Sequence, residues 1–90
     1  MSTTRIMTPL GGIMTSEGAI SGEVDVTTET VSGAKRGTKL VVRVSYADSE
    51  DRYRVLGSPV AGMDHEAVVA RLSTDPGLDG DGNPAPADLR

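Results

Sequence analysis

The segment 38–56, TKLVVRVSYADSEDRYRVL, constrains the fold of this chain most, because it has the pattern of a β-hairpin with two matching arms. A turn at 48–51 places Val44 opposite Val55 and Tyr46 opposite Tyr53. One face of the hairpin then contains Val42, Val44, Tyr46, Tyr53 and Val55, and the other contains Arg43, Ser45, Arg52 and Arg54. Side chains alternate along a strand, so a slip of one residue would mix the two sets. The segment therefore predicts a hairpin with one apolar face and one cationic face.

One further strand and one helix are predicted beside the hairpin. Residues 23–31, EVDVTTETV, alternate β-branched and acidic or polar positions, which is typical of a half-buried strand. Residues 64–73, DHEAVVARLS, have the pattern of a helix with Asp64 as its N-cap and an apolar stripe of Val68, Val69 and Leu72. Gly57-Ser58-Pro59 ends the hairpin, because proline cannot donate to an interior ladder, and Asp75-Pro76-Gly77 ends the helix.

The two ends of the chain lack such patterns. Residues 1–22 are rich in Thr, Ser, Gly and Met and predict a flexible N-terminal arm. Residues 75–90 are rich in Gly, Pro and Asp and predict an acidic, mobile tail. The predicted fold class is therefore α+β: a three-stranded antiparallel sheet in β-β-β-α order, with one helix packed on its apolar face, over residues 23–74.

Size and composition favour self-association. The chain has 90 residues, no Cys, Phe or Trp, and two Tyr, so its core must be mainly aliphatic and has no disulfide to support it. A domain this small is marginally stable unless another element helps. A second copy covering a sheet edge or face would provide that help. We therefore expect a homodimer or a larger homo-oligomer.

The charge of the chain is unevenly distributed. Its formal net charge is -4, yet residues 33–56 contain six cations and three acids, or +3, and the rest contains three cations and ten acids, or -7. This asymmetry indicates an interaction surface on the hairpin. The predicted partner-binding residues are Lys35, Arg36, Lys39, Val41, Arg43, Arg52, Arg54 and Leu56. Alternatively, the arginines form a solvated outer face whose long stems cover Val41 and Leu56.

No catalytic constellation is visible in the sequence. His65 is the only histidine, and its position beside Asp64 and Glu66 is typical of an exposed first turn of a helix. Ser58 lies in a strand-ending turn without a nucleophile-elbow motif, and the segment 33–39 lacks the residue order of a phosphate loop. We therefore expect no enzymatic activity and no cofactor.

The best candidate for a metal site is incomplete. Asp79, Asp81 and Asn83 occupy alternate positions, as at the start of a calcium loop. Pro84 and Arg90 stand where such a loop needs Gly and a bidentate Glu. The sequence therefore predicts a solvated Gly-Asp segment and no metal.

These observations favour a non-enzymatic protein-interaction module, an accessory or regulatory subunit that also self-associates. It would bind through an exposed edge strand, a terminal segment, or the patch formed by Val41, Leu56, Arg43 and Arg54. The alternative is a small nucleic-acid-binding regulator that uses the basic face of the 38–56 hairpin. Seven Arg against two Lys favours a bacterial source, and the lack of a targeting signal or membrane span predicts a cytoplasmic location.

Overall fold

The computed structural model describes residues 1–33 and 37–90 and contains a four-stranded antiparallel sheet, a short second hairpin and one helix. The strands of the main sheet, in the order β1-β4-β5-β6, are β1 (Ser2–Met7), β4 (Glu23–Gly33), β5 (Gly37–Tyr46) and β6 (Tyr53–Arg54). The second hairpin consists of β2 (Ile13–Thr15) and β3 (Gly18–Ile20), and α1 spans His65–Ser73. The predicted α+β class and the single helix are confirmed among the described residues.

The prediction of three strands is corrected, because the main sheet has a fourth. β1 comes from the segment that was predicted to be a flexible arm. It pairs antiparallel with β4 along its whole length, from Ser2 opposite Thr28 to Met7 opposite Glu23. The ladder supplies the backbone hydrogen bonds that a Thr-rich segment would otherwise make with water.

β2 and β3 form the bent tip of the β1–β4 hairpin. The ladder continues to Thr8, whose N–H donates to the Gly22 carbonyl at 3.0 Å, and a turn then closes where the Gly12 N–H donates to the Pro9 carbonyl at 2.9 Å. Gly12 has φ 79°, and a Cβ there would overlap the Ile20 carbonyl oxygen. Only glycine fits this turn without strain. The tip places Ile13 and Ile20 in the same core as the helix residues Val68 and Leu72.

The hairpin register differs from the predicted one by two residues. Val44 pairs with Tyr53 and not with Val55, so β5 and β6 are joined by residues 47–52. This longer connection is held by the Ser49 N–H on the Tyr46 carbonyl, and by the Ser49 hydroxyl, which accepts from a backbone N–H two residues later. A shift of two positions returns each side chain to the same face. The two predicted faces are therefore correct, although the cross-strand partners are wrong.

The core lies between one face of the main sheet and a layer formed by α1, the β2–β3 hairpin and the C-terminal segment. Its buried apolar side chains are Ile13, Ile20, Val24, Val26, Val42, Val44, Val55, Val60, Val68, Leu72 and Ala87. The predicted N-cap is confirmed, because Asp64 Oδ1 accepts from the Ala67 N–H at 2.8 Å. Among the described residues, no helix is both long and apolar enough to cross a membrane.

The end of the segment predicted as a mobile tail is instead packed against the fold. Ala87 is buried, and its backbone exchanges bonds with two residues of the tip: the Met14 N–H donates to Ala87 and the Ala87 N–H donates to Gly12, both at 2.8 Å. A close approach accompanies this contact. A Cβ at Gly11 would overlap the carbonyl of Ala85.

Candidate interaction surface

The face of the main sheet opposite the core, here called the open face, displays most of the predicted partner-binding residues. Side-chain alternation and the strand register place Lys39, Val41 and Arg43 of β5 on this face. Arg54 of β6 lies directly opposite Arg43. Arg52 borders a shallow depression of the open face, whose other lining residues include Thr3, Asp25, Thr27 and Ser45. The structure thus brings five of the predicted residues to one face.

Of the other three predicted residues, Leu56 lies just after β6. Leu56 belongs to a different hydrogen-bonding environment: its N–H donates to the Met14 carbonyl at 3.1 Å, and its carbonyl accepts from the Leu89 N–H at 2.9 Å. Its backbone is therefore held by β2 and the C-terminal segment. Lys35 and Arg36 lie outside the described residues.

The open face is not purely cationic, because β4 contributes acids to it. Arg43 Nη1 lies 3.5 Å from Glu29 Oε2. The described cations at this face are Arg5, Lys39, Arg43, Arg52 and Arg54, and β4 places Glu23, Asp25 and Glu29 among them. The surface is therefore less positive than the sequence of the hairpin alone predicts. A mixed surface of this kind suits a protein partner better than a phosphate backbone.

Arg5 of β1 lies at the centre of the acidic group. Its Nε and Nη2 donate to the two carboxylate oxygens of Asp25 at 2.9 and 3.2 Å, and its guanidinium lies 3.6 Å from Glu23 and 3.9 Å from Asp48. The bidentate hydrogen bond from Arg5 lowers the pKa of the Asp25 carboxyl. The Arg5 guanidinium therefore points towards β4 and away from the outer edge of β1.

The outer edge of β1 has main-chain groups without a backbone partner in the described structure. The Thr8 N–H donates towards β4, so the even-numbered residues of β1 face β4. The pairing on the opposite side of β4 is consistent with this direction, because there the carbonyl of the odd-numbered Glu23 accepts from the Ala47 N–H. The outward N–H and C=O groups therefore belong to Thr3, Arg5 and the last residue of β1, Met7.

This edge lacks the usual protection against strand addition. Natural edge strands are blocked by proline, lysine, bulges or great shortness. β1 has six residues, contains neither proline nor lysine, and pairs with β4 without a bulge. Its one charged side chain, Arg5, forms an ion pair with Asp25. Two large apolar residues at this edge, Met1 and Met7, are 83% and 65% exposed.

His65 ties the helix to the sheet, a role that was missed when it was predicted to be an exposed residue of the first turn. Its Nε2 is 2.7 Å from the Thr4 hydroxyl and its Nδ1 is 2.8 Å from the Thr28 hydroxyl. Both ring nitrogens are thus engaged with strand hydroxyls. Only the strand pairing, which places Thr4 and Thr28 on the core face, reveals this contact. The ring also borders an open cleft of ≈ 550 Å³ beside the start of β1.

The Asp-rich loop is stabilised by hydrogen bonds between its own backbone N–H groups and one aspartate side chain. Asp79 Oδ1 accepts from the N–H groups of Asp81 and Asn83 at 2.9 and 3.0 Å, a pattern typical of Asx turns. Among the described residues, no group of three or more acidic or histidine side chains is placed to hold a metal ion.

Comparisons with protein-family models, with curated proteins and with solved structures give no match for this chain. The surface of the chain itself is therefore the guide to its function. Two features of that surface stand out: the unprotected outer edge of β1 and the mixed-charge open face beside it.

Proposed function

We propose that this chain is a non-enzymatic protein-interaction module of the bacterial cytoplasm, an accessory or regulatory subunit that binds its partner by strand addition at β1. The observation that carries this proposal is the set of outward N–H and C=O groups on Thr3, Arg5 and Met7, which have no backbone partner in the described structure. An extended strand laid along them would satisfy all these groups at once. Strand addition of this kind is a common mode of peptide recognition.

The side chains next to the edge give the site its selectivity. Met7 and Arg5 point to the open face, and Ile6 and Thr4 point to the core face. A bound strand would therefore place apolar side chains beside Met7 and polar ones beside Arg5, because cross-strand neighbours on one face interact directly. The predicted residues Val41, Arg43 and Arg54 of the open face would extend this contact beyond the edge.

A proline substitution tests the proposal. Thr3→Pro removes an outward N–H and leaves the ladder with β4 intact, because only the even-numbered residues of β1 bond to β4. Thr3→Val is the matched control: it keeps the N–H and, like the proline variant, loses the 3.1 Å hydroxyl contact with Thr27. Tagged wild-type and variant proteins are used to capture partners from source lysate, with and without nuclease and at two salt concentrations, and the captured proteins are identified by mass spectrometry.

We expect one protein to be recovered in near-stoichiometric amount by the wild type and by Thr3→Val, and to be lost with Thr3→Pro. Recovery that is equal for all three would overturn the edge as the binding site. Recovery that disappears with nuclease or moderate salt would support instead the alternative function, nucleic-acid binding by the basic hairpin face. In that case charge reversal at Arg43 and Arg54, which lie opposite each other on the open face away from the core, should abolish binding without unfolding the protein.

A further inference from the structure

We infer that a second copy of this chain occupies the β1 edge, and that the two β1 strands pair antiparallel about a two-fold axis at Thr4. The inference rests on the proposed function, because it names the occupant of the same edge. It follows from three properties of the described structure: the direction of the main-chain groups, the position of the one charge, and the two exposed methionines.

The direction of the main-chain groups fixes how the copies face each other. Only Thr3, Arg5 and Met7 point their N–H and C=O groups outward, so an odd-numbered residue must pair with an odd-numbered residue of the other copy. Directly opposite residues have their side chains on the same face of a sheet. The core faces of both copies therefore lie on the same side. The product is one continuous sheet of eight strands, four from each copy, with both helices on one face.

The charge and the apolar residues then select the register. With the axis at Thr4, Arg5 lies opposite Thr3 of the second copy, and Met7 lies opposite Met1 of the second copy. With the axis at Arg5, two arginines lie directly opposite each other, which is unfavourable. That second register also places Met1 opposite Pro9, which has no N–H to contribute. The Thr4 register avoids both problems and covers the two methionines.

Self-pairing also explains why so small a chain leaves this edge unprotected. The chain has no disulfide, and the eleven buried apolar residues of its core include no aromatic ring. Joining two sheets edge to edge gives each copy a second neighbour for β1, so that this edge strand becomes an interior one. Full closure or burial is how β proteins remove a free edge.

Single cysteine variants test the register, because the natural chain contains no cysteine. In the Thr4 register two copies of Thr4 form a non-hydrogen-bonded pair with Cα atoms about 4.5 Å apart, a distance that a disulfide spans. Two copies of Arg5 are then offset by two positions and lie beyond the roughly 7 Å that a disulfide allows. Thr4→Cys, Arg5→Cys and a control, Asp81→Cys in an exposed loop, are oxidised at equal concentration and analysed on non-reducing gels, after circular dichroism has confirmed folding.

We expect Thr4→Cys to give mostly a covalent dimer of twice the 9.3 kDa chain mass, and Arg5→Cys to give no more dimer than Asp81→Cys. Preferential cross-linking of Arg5→Cys would overturn the Thr4 register. Light scattering after size exclusion, over loading concentrations from about 1 μM to 1 mM, covers the affinities of weak associations. It should show a dimer for the wild type and Thr3→Val, and a monomer for Thr3→Pro.

The two proposals can fail separately. A wild type that stays monomeric throughout, together with capture of another protein that Thr3→Pro abolishes, overturns self-pairing and leaves strand addition at β1 in place. A dimer that persists in Thr3→Pro and does not cross-link at Thr4 overturns the edge as the self-association surface.

Discussion

The two edges of the main sheet differ in whether other segments cover them. On the β6 side the edge is covered: Thr15 of β2 pairs with Val55, the Leu56 N–H donates to β2, and the Leu89 N–H donates to the Leu56 carbonyl. On the β1 side no strand follows among the described residues. The covered edge is held by backbone bonds and buried aliphatic groups. The open edge, at β1, is held by its ladder with β4, by the partly buried Ile6, and by the side-chain contacts of Arg5 with Asp25 and of Thr4 with His65.

This contrast shows what covering an edge requires in a small domain. Segments from both ends of the chain meet at β6, and they approach so closely that glycine is needed at the contact points. A Cβ at Gly57 would overlap the backbone of Leu89, and one at Gly11 would overlap the backbone of Ala85. β1 contains no glycine at which a Cβ would meet such a contact. Stability should therefore depend mainly on the covered edge, and association on the open one.

The largest expected effect comes from truncating the same residue type at the two edges. Ile13 of β2 is fully buried beside the covered edge, and Ile6 of β1 is only partly buried. Ile13→Ala should lower the free energy of unfolding by about 3 kcal/mol, because it leaves a cavity in the core, and Ile6→Ala by about 1 kcal/mol. Urea denaturation of both variants measures the difference. Equal losses would mean that the two edges contribute alike to stability.

A second comparison isolates the close packing of the covered edge. Gly57 and Gly62 both have positive φ, 97° and 77°, but only Gly57 is in contact with other backbone atoms where a Cβ would stand. Gly62→Ala should lower the free energy of unfolding by about 1 kcal/mol, from backbone strain alone. Gly57→Ala should lower it by about 3 kcal/mol, because the C-terminal segment must also move. Thermal and urea unfolding of both variants test this, and similar losses would contradict the structure at Gly57.

A third effect concerns the contacts of His65, which attach β1 at the open edge to the helix. His65→Ala removes both threonine contacts and leaves the buried Thr28 hydroxyl without its partner, which should cost about 1 to 2 kcal/mol. The loss should be local, so amide hydrogen exchange should accelerate more in β1 than in β5. Glu66→Gln, one residue further along the same turn, is the control and should leave the exchange of β1 unchanged. Uniform acceleration in every strand would indicate that His65 stabilises the whole core and not the edge in particular.

The elements that sequence predicted correctly are those whose pattern is local. The alternation in 23–31 places Val24 and Val26 on one face whatever strand lies beside it, and Asp64 caps the helix with groups three residues away. The hairpin faces are correct for a similar reason. Its register was not determined by the pattern, because a shift of two residues leaves both faces unchanged, and the hydrogen bonds of Ser49 decide between the alternatives.

The features that were missed depend on contacts between distant segments. β1 has Thr on both faces, so its alternation is weak until β4 is placed beside it. The acids around the arginines were likewise invisible in the hairpin, because Glu29 reaches Arg43 only through the pairing of β4 with β5. Ala87 carries no local signal for burial. The open edge, which carries both proposals, could be described only after the whole strand order was known.

The smallest expected effect is the pH dependence of the Arg5–Asp25 pair. Because the folded-state pKa of Asp25 is lowered, its contribution to stability is fully present above the ordinary value of 3.8 and is lost as the pH falls through the folded-state pKa. The stability difference between the wild type and Asp25→Asn should therefore be largest near neutral pH and should shrink in acid. Both sides of the pair are partly exposed, so added salt should shrink it too.

Glu17→Gln, at an exposed carboxylate outside the described ion pairs, is the control for the general effect of removing one negative charge. Urea unfolding of the three proteins at neutral and acidic pH, and at low and high salt, separates the pair from that general effect. The same samples also test the comparison of the two edges. If the Arg5–Asp25 pair stabilises β1 and no other strand, Asp25→Asn should accelerate amide exchange in β1. It should leave the exchange at Val55, where the covered edge begins, unchanged. An equal change at both edges would show that the two sides of the sheet are coupled, and that the open edge is not the independent surface that strand addition needs.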